Sequence, residues 1–171
     1  MSSDTGAAGQ LSSLGLGPPD QVSFAVADMA QAVSALSPVL GEFDVRESVL
    51  AAGSIMHRDR DREAEARLRL GICRFGAIEI ELVEVLEGDW PTVDHLDRHG
   101  PGLHHVRFVV DDLGAKSSQM QAAGFREVLR GVSPRGSQFA YLEAPAVLGP
   151  TMVELLQPAS DEDSGPPPDR P

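Results

Sequence analysis

The chain is poor in several things, and each shortage excludes a class of protein. Only one cysteine occurs, Cys73. A disulfide framework within the chain and a thiolate metal cluster are therefore excluded. Basic residues are outnumbered, with Lys+Arg 14 against Asp+Glu 26 and a formal net charge of -12. That balance argues against general nucleic-acid binding, which uses basic faces. Aromatic residues make up only 5%. No apolar run approaches the roughly 20 residues that a bilayer-spanning helix needs. Met1–Pro19 has no basic segment followed by an apolar one, so a secretory signal is not expected. The expectation is a cytoplasmic protein without nucleic-acid or membrane partners.

What is present is enough for one compact unit. The 171 residues are 42% hydrophobic, which at this length supports a core of useful size. The ends differ from the middle. Residues 1–19 are rich in Ser, Gly and Ala without apolar periodicity, and residues 158–171 hold five prolines with Asp161, Glu162, Asp163 and Asp169. Both read as disordered tails, which leaves a folded body over residues 20–157.

Within the body one order of signals occurs twice. Val22–Val26 reads as a strand, Asp28 stands at an N-cap position, and Met29–Leu40 reads as a helix stopped at Gly41, with Pro38 expected to bend or break it. Strands follow at Phe43–Leu50, Arg67–Phe75 and Ala77–Leu86. The second copy has a strand at His105–Val110, a helix over Leu113–Ala123 started by Asp112 and closed by Gly124, and strands at Phe125–Arg130, Gln138–Glu143 and Thr151–Leu156. The predicted fold is α+β: two tandem βαβββ modules, residues 20–87 and 104–157, joined by a linker over 88–103 and forming one concave sheet. The first module is longer in its hairpin, around His57–Arg69.

Aligning the copies places Gln21 over His105 and Glu81 over Glu154. Glu81 lies between Ile80 and Leu82, on the strand face shared with Glu79 and Val83. A glutamate in such a place either faces solvent or, if buried, needs a compensating cation. Two modules related by a pseudo-two-fold would bring Gln21, Glu81, His105 and Glu154 to one concave surface. Amide oxygen, imidazole and two carboxylates are together a competent donor set for a first-row divalent ion, with positions left open for water or substrate.

The segments Gly100–Asp112, Ile80–Glu84, and Phe139–Glu143 with Gly149–Leu156 resemble the vicinal oxygen chelate superfamily of glyoxalase I, methylmalonyl-CoA epimerase, extradiol dioxygenases and the fosfomycin- and bleomycin-resistance proteins. The resemblance spans roughly residues 20–157, and the stretch from Leu86 to His105 is most similar to the epimerase-like branch. It implies metal ligands at Gln21, Glu81, His105 and Glu154, holding Co, Ni, Mn, Zn or Mg. Epimerases usually carry His where this chain has Gln21, whereas glyoxalase I of the eukaryotic type carries Gln there. The iron triad of the dioxygenases needs two imidazoles and a carboxylate, and only His105 is in place.

The resemblance implies an isomerase, epimerase or lyase. It would act on a small molecule, an acyl-CoA or dicarbonyl compound, chelated through two oxygens. The ion would stabilise an enolate while Glu154, with Glu81 across the site, shuttles the proton. Glu47 is a further candidate base. The alternative is a metal-free, antibiotic-type binding protein of the same fold. A homodimer is expected from the family.

Other residues receive plainer readings. His104 adjoins His105, and strand alternation turns only one of the pair to the cleft, so a structural role is expected for His104. Arg107 is expected to point away from the ligand face. His57, His95 and His99 lie in polar stretches and read as solvated, or, for His99, as packed near the turn between modules. The run His57–Arg69 mixes five arginines with four acids and reads as an exposed hairpin tip or as an arginine site for a substrate anion. Trp90 is expected to pack the linker and Cys73 to be a small buried hydrophobe.

Overall fold

The computed structural model describes residues 14–159. The expected disordered ends therefore lie largely outside the described residues. Residues 14–19 are the exception. Leu14 and Leu16 pack against the core of the second module, and the Leu14 carbonyl accepts a hydrogen bond from Lys116 Nζ. The folded body thus begins earlier than its composition suggests, because two leucines in a Gly-rich stretch find an apolar surface to cover.

The architecture is α+β, with the two βαβββ modules in tandem. The first comprises β1 (Gln21–Ala25), α1 (Met29–Leu40), β2 (Asp44–His57), β3 (Arg62–Phe75) and β4 (Ile78–Gly88). A linker helix, α2 (Pro91–His99), leads to the second, formed by β5 (Gly102–Val109), α3 (Leu113–Ala122), β6 (Arg126–Val132), β7 (Gln138–Glu143) and β8 (Met152–Gln157). The strands form one closed barrel in the order β1-β4-β3-β2-β6-β7-β8-β5. The duplication is visible in the pairing: β1 runs parallel to β4, as β5 does to β8, and the modules join through the antiparallel pair β1–β5.

Helix starts follow local chemistry. The Asp28 carboxylate accepts from the Gln31 amide at 2.9 Å and the Asp112 carboxylate from the Ala115 amide at 2.8 Å, each satisfying a donor that the first helical turn leaves free. The helix α1 runs through Pro38 to Leu40 and is stopped by Gly41, whose amide bonds the Ser37 carbonyl. The expected break at Pro38 does not occur.

Two segments depart from the sequence reading. The linker contains a helix, started by Pro91 in its first turn, a position that needs no amide proton. The charged run His57–Arg69 is mostly strand: β2 and β3 extend to His57 and Arg62, and residues 58–61 make the turn. Ala64, Ala66 and Leu68 alternate toward the core there, while the charged residues between them form cross-strand ion pairs on the outer face. Arg67 bonds Glu87 at 2.7 Å and Arg69 bonds Glu84 at 2.7 Å.

The barrel closes through a short contact. Only Ile55, Met56 and His57 of β2 pair with β6, opposite Gly131, Arg130 and Leu129. Gly131 makes this approach possible, because a Cβ there would lie 2.6 Å from Phe139 Cζ and 3.0 Å from the Ser54 carbonyl. A cleft inside the barrel is lined on this side by Arg46, Ser48 and Leu50 of β2 and by the segment 133–137 that follows β6. Inside the barrel, Leu50, Leu68, Val83, Trp90, Leu129, Phe139 and Tyr141 form a continuous buried cluster below the cleft. Among the described residues no helix is long and apolar enough to cross a membrane.

Candidate functional site

The barrel cleft has a volume of about 240 Å³. Its wall carries Gln21 from β1, Glu79 and Glu81 from β4, Arg107 from β5 and Glu154 from β8, with Trp90, Phe139 and Tyr141 as an aromatic wall. Gln21 and Ser23 are buried, at 1% and 0% exposure, because alternate residues of β1 face the interior.

Four side chains expected from the repeat meet around one atom. His105 Nε2 lies 3.0 Å from a Glu154 carboxylate oxygen, 3.6 Å from one of Glu81 and 3.3 Å from Gln21 Oε1. The register explains the meeting. Ser23 lies opposite both Glu81 and His105 on the strands flanking β1, and Glu154 reaches in from the strand on the other side of β5.

Gln21 shows its carbonyl oxygen to this centre for a reason. Its Nε2 donates to Glu79 Oε1 at 2.7 Å, and a carboxylate only accepts, so the amide cannot turn over without losing that bond. Glu79 is held in turn by Arg107, 3.4 Å away, while Arg107 makes a two-point contact with Asp20 at 3.1 and 2.7 Å. Burial works against the Arg107 charge, but the Asp20 bond and the nearby Glu154 and Glu79 carboxylates outweigh it and raise its pKa above the ordinary value. Burial also pushes the Glu81 carboxyl above its usual range; His105 opposes this and Glu154 adds to it. Tyr141 is raised for the same reasons, burial first and the Glu154 and Glu81 charges next.

The donor types are ones that a divalent cation accepts, although among the described residues no group of three or more His, Cys, Asp or Glu side chains is arranged as a ready metal site. Two carboxylates, an amide oxygen held facing inward and an imidazole nitrogen converge in a buried place, and Ser23 Oγ lies beside Glu81 without completing a hydrogen bond. Their negative charge is expensive there unless neutralised.

Other expectations need correction. Arg107 lines the cleft, since residues two apart on a strand share a face and it follows His105 by two. Glu47 lies on the outer side of β2, 3.3 Å from Arg67 and 3.5 Å from Arg69, while its neighbours Arg46 and Ser48 face the cleft. It is not placed to act as a base there. His57 and His95 are buried, at 3% and 5% exposure, not solvated. Burial lowers the pKa of both. His99 is exposed at the end of α2, its ring 5.4 Å from that of His95. Trp90 packs the linker as expected and also faces the cleft. Cys73 is buried, its thiol donating to the Leu40 carbonyl.

His104 departs from strand alternation. Ser23 pairs with His105 but Phe24 pairs with Leu103, so His104 is an extra residue in β5, a β-bulge. Both imidazoles therefore point into the structure, fully buried, with their Nδ1 atoms 2.9 Å apart. The arginines of the 58–69 run are engaged by carboxylates, among them Glu127, Asp89, Asp94 and Glu47, and none lines the cleft. The residues that the sequence reading missed are Glu79, Arg46, Ser48 and Arg135. Of these only Glu79 had a signal, its place on the same strand face as Glu81. A larger cavity of about 470 Å³ lies between α2 and the 143–152 segment. Its acids are mostly tied to arginines, so the smaller cleft is the stronger candidate for chemistry.

Comparison with known proteins agrees with the fold. A family model described as Glyoxalase/Bleomycin resistance protein/Dioxygenase superfamily matches residues 20–141. The uncharacterized protein YqjC of Bacillus subtilis is 31% identical over 103 residues, covering 57% of this chain and 71% of that protein. Among solved structures, methylmalonyl-CoA epimerase from Mycobacterium tuberculosis superposes with a TM-score of 0.59 at 23% identity, over 88% of this chain and 93% of the other. A Streptomyces coelicolor methylmalonyl-CoA epimerase variant in complex with 2-nitronate-propionyl-CoA gives 0.56 at 20% identity, over 85% and 99%. The hypothetical protein BH1468 of Bacillus halodurans gives 0.58 at 16%, over 84% and 96%. At these identities the structural likenesses carry the fold alone.

Proposed function

The chain belongs to the Glyoxalase/Bleomycin resistance protein/Dioxygenase superfamily, and from that premise we propose that it is a divalent-metal-dependent isomerase or epimerase that moves a proton on the carbon beside a carbonyl. The observation that carries the reading is the convergence of Gln21, Glu81 and Glu154 on His105 Nε2. These four residues would hold the ion. When bound, it supplies positive charge for the oxygen on which negative charge develops.

The chain's own groups do the rest. The C–H bond next to the carbonyl breaks, its electron pair moves into the carbonyl, and a carboxylate takes the proton. Glu154 and Glu81 are the two carboxylates close enough to the centre to do this. Delivery from one carboxylate after removal by the other would invert the carbon. Arg46, Ser48, Ser133, Arg135 and Ser137 stand along the cleft and give an acidic protein two cationic groups with which to meet an anionic substrate. An acyl-CoA of the kind named for the solved epimerases, or a dicarbonyl compound, has the required carbonyl. A homodimer is the assembly we propose, on family grounds.

The test is elemental analysis of the purified protein combined with exchange of the α-proton of a small panel of acyl thioesters into deuterated water. Bound metal and exchange abolished by chelation support the reading. Absence of both, with Co, Ni, Mn, Zn and Mg each added back, refutes it. A second reading, a metal-free small-molecule binder, draws on one observation: Trp90, Phe139 and Tyr141 are gathered on one wall of the cleft, with ring centroids 5.6 to 6.0 Å apart. Tight ligand binding unaffected by chelation would favour it.

A further inference from the structure

The superfamily reading assigns no role to the residue before His105. We propose that His104 is a positioning residue whose Nδ1 accepts the Nδ1 proton of His105, fixing the ring so that Nε2 turns its lone pair to the cleft. The inference rests on the metal reading given above, and deepens it.

The geometry begins with the bulge. An extra residue in β5 puts two consecutive imidazoles on the same side of the strand, where alternation allows one. Both are fully buried, and their Nδ1 atoms are 2.9 Å apart, a hydrogen-bond distance that requires one nitrogen to donate and the other to accept. A neutral imidazole carries one N–H. With a cation bound, His105 Nε2 must offer its lone pair, so the proton sits on Nδ1 and His104 Nδ1, 2.9 Å away, is the group placed to accept it; without the cation Nε2 faces the acceptor oxygens of Glu154 and Gln21 and donates to them, and the bond between the two Nδ1 atoms runs the other way. In the cation-bound state His104 carries its own proton on Nε2. That atom is buried without a completed hydrogen bond, beside the Pro91 backbone at the start of α2.

His104 is itself held from two sides. Its ring meets the edge of His95 at 5.2 Å and lies 6.0 Å from Tyr141. The orientation of His105 is therefore set through His104 by the linker helix, which carries His95, and by β7, which carries Tyr141. Such outer partners of a ligating histidine are worth about 10- to 100-fold in metal affinity.

The experiment compares wild type with His104→Leu and His104→Asn. Leucine removes the acceptor and keeps bulk; asparagine can place an amide oxygen near the position of Nδ1. Zinc and cobalt affinities are measured by chelator competition. Protein labelled with ¹⁵N-histidine is examined for a coupling between the two Nδ1 nuclei across the hydrogen bond and for the tautomer of His105. We expect the coupling in wild type, with the proton on His105 Nδ1 in the zinc-loaded protein. Affinity should fall by about 10- to 100-fold in His104→Leu, and His104→Asn should restore most of it. A wild-type protein without the coupling overturns the proposal. So does a folded His104→Leu protein with unchanged affinity and unchanged His105 tautomer, or loss of affinity in His104→Asn equal to that in His104→Leu. If wild type binds no metal, the proposed function fails, and the coupling in the metal-free protein still decides whether His104 holds His105.

Discussion

Gln21 and Glu79 form a donor–acceptor pair of 2.7 Å that decides which end of the Gln21 amide faces His105. Glu79 accepts from the amide nitrogen, so the carbonyl oxygen is turned to the centre of the cleft. In the E79Q variant the partner side chain can donate as well as accept, and the constraint on Gln21 disappears. The expected result is an affinity for zinc or cobalt weaker by about tenfold, with the fold retained. Titration against a competing chelator checks it, and unchanged affinity would mean that Gln21 is not a ligand.

The two carboxylates beside His105 should both be needed, whereas Glu47 should not. Glu154→Gln and Glu81→Gln each keep shape and remove charge. As both a ligand and a base, each should reduce α-proton exchange by about 100-fold or more. Glu47→Gln should have little effect, because Glu47 faces Arg67 and Arg69 on the outside of the barrel. Exchange rates measured at saturating metal test all three, and a loss in Glu47→Gln comparable with the other two would refute the assignment.

How far the sequence reached is clearest at this centre. The repeat brought Gln21, Glu81, His105 and Glu154 into one group, because strand order and parity survive in a single sequence when a module is written twice. Parity was also the source of error. The expectation for Arg107 goes against parity, since counting by two places it on the face of His105, whereas at His104 a one-residue bulge cancels the rule itself. A bulge depends on the register between β1 and β5, which no local pattern in β5 records. The burial of His57 is hidden in the same way: it sits among Arg58, Asp59, Arg60 and Asp61, and partners distant in sequence, β6 and Asp89, surround it in the fold. Glu47 was misplaced because its face depends on which side of β2 meets the interior.

Buried histidines give the protein a sensitivity to acid. Burial lowers the pKa of His57 below 6.5, with Arg60 acting in the same direction and Asp59 opposing; His95 is lowered by burial and by His99. The unfolded chain takes up protons at these groups before the folded one does. Stability from this source is therefore level above about pH 6.5 and falls as the pH drops from there toward the folded values. Urea unfolding followed from about pH 8 to about pH 5 should show the decline, and His57→Gln should make it shallower. A wild-type curve flat across that range would contradict the burial of these rings.

Gly88 should tolerate no side chain. It ends β4 with φ +92°, and a Cβ there would lie 2.1 Å from the Glu65 carbonyl and 2.8 Å from Ala66 Cα. Both obstacles are backbone atoms of the paired strand, so they cannot move aside as a flexible side chain would. Gly88→Ala is expected to cost more than about 2 kcal/mol, from the left-handed conformation together with the clash. Chemical denaturation measures it, and a cost below about 1 kcal/mol would show that the end of β4 yields.

Trp90 offers a direct reading of cleft occupancy. It is the chain's single tryptophan, it lines the cleft, and its ring packs against Phe139 at 5.9 Å and edge-on to Tyr141 at 5.6 Å. A ligand entering the cleft changes the polarity around the indole, so intrinsic fluorescence should shift on binding an acyl thioester or a competing anion. Trp90→Phe should abolish the signal while preserving most of the packing. Trp90→Ala should in addition destabilise the fold by about 3–5 kcal/mol, the range found for emptying a large aromatic site. Substrate binding seen by calorimetry without any change in Trp90 emission would place the ligand elsewhere, with the larger cavity beside α2 the next place to look.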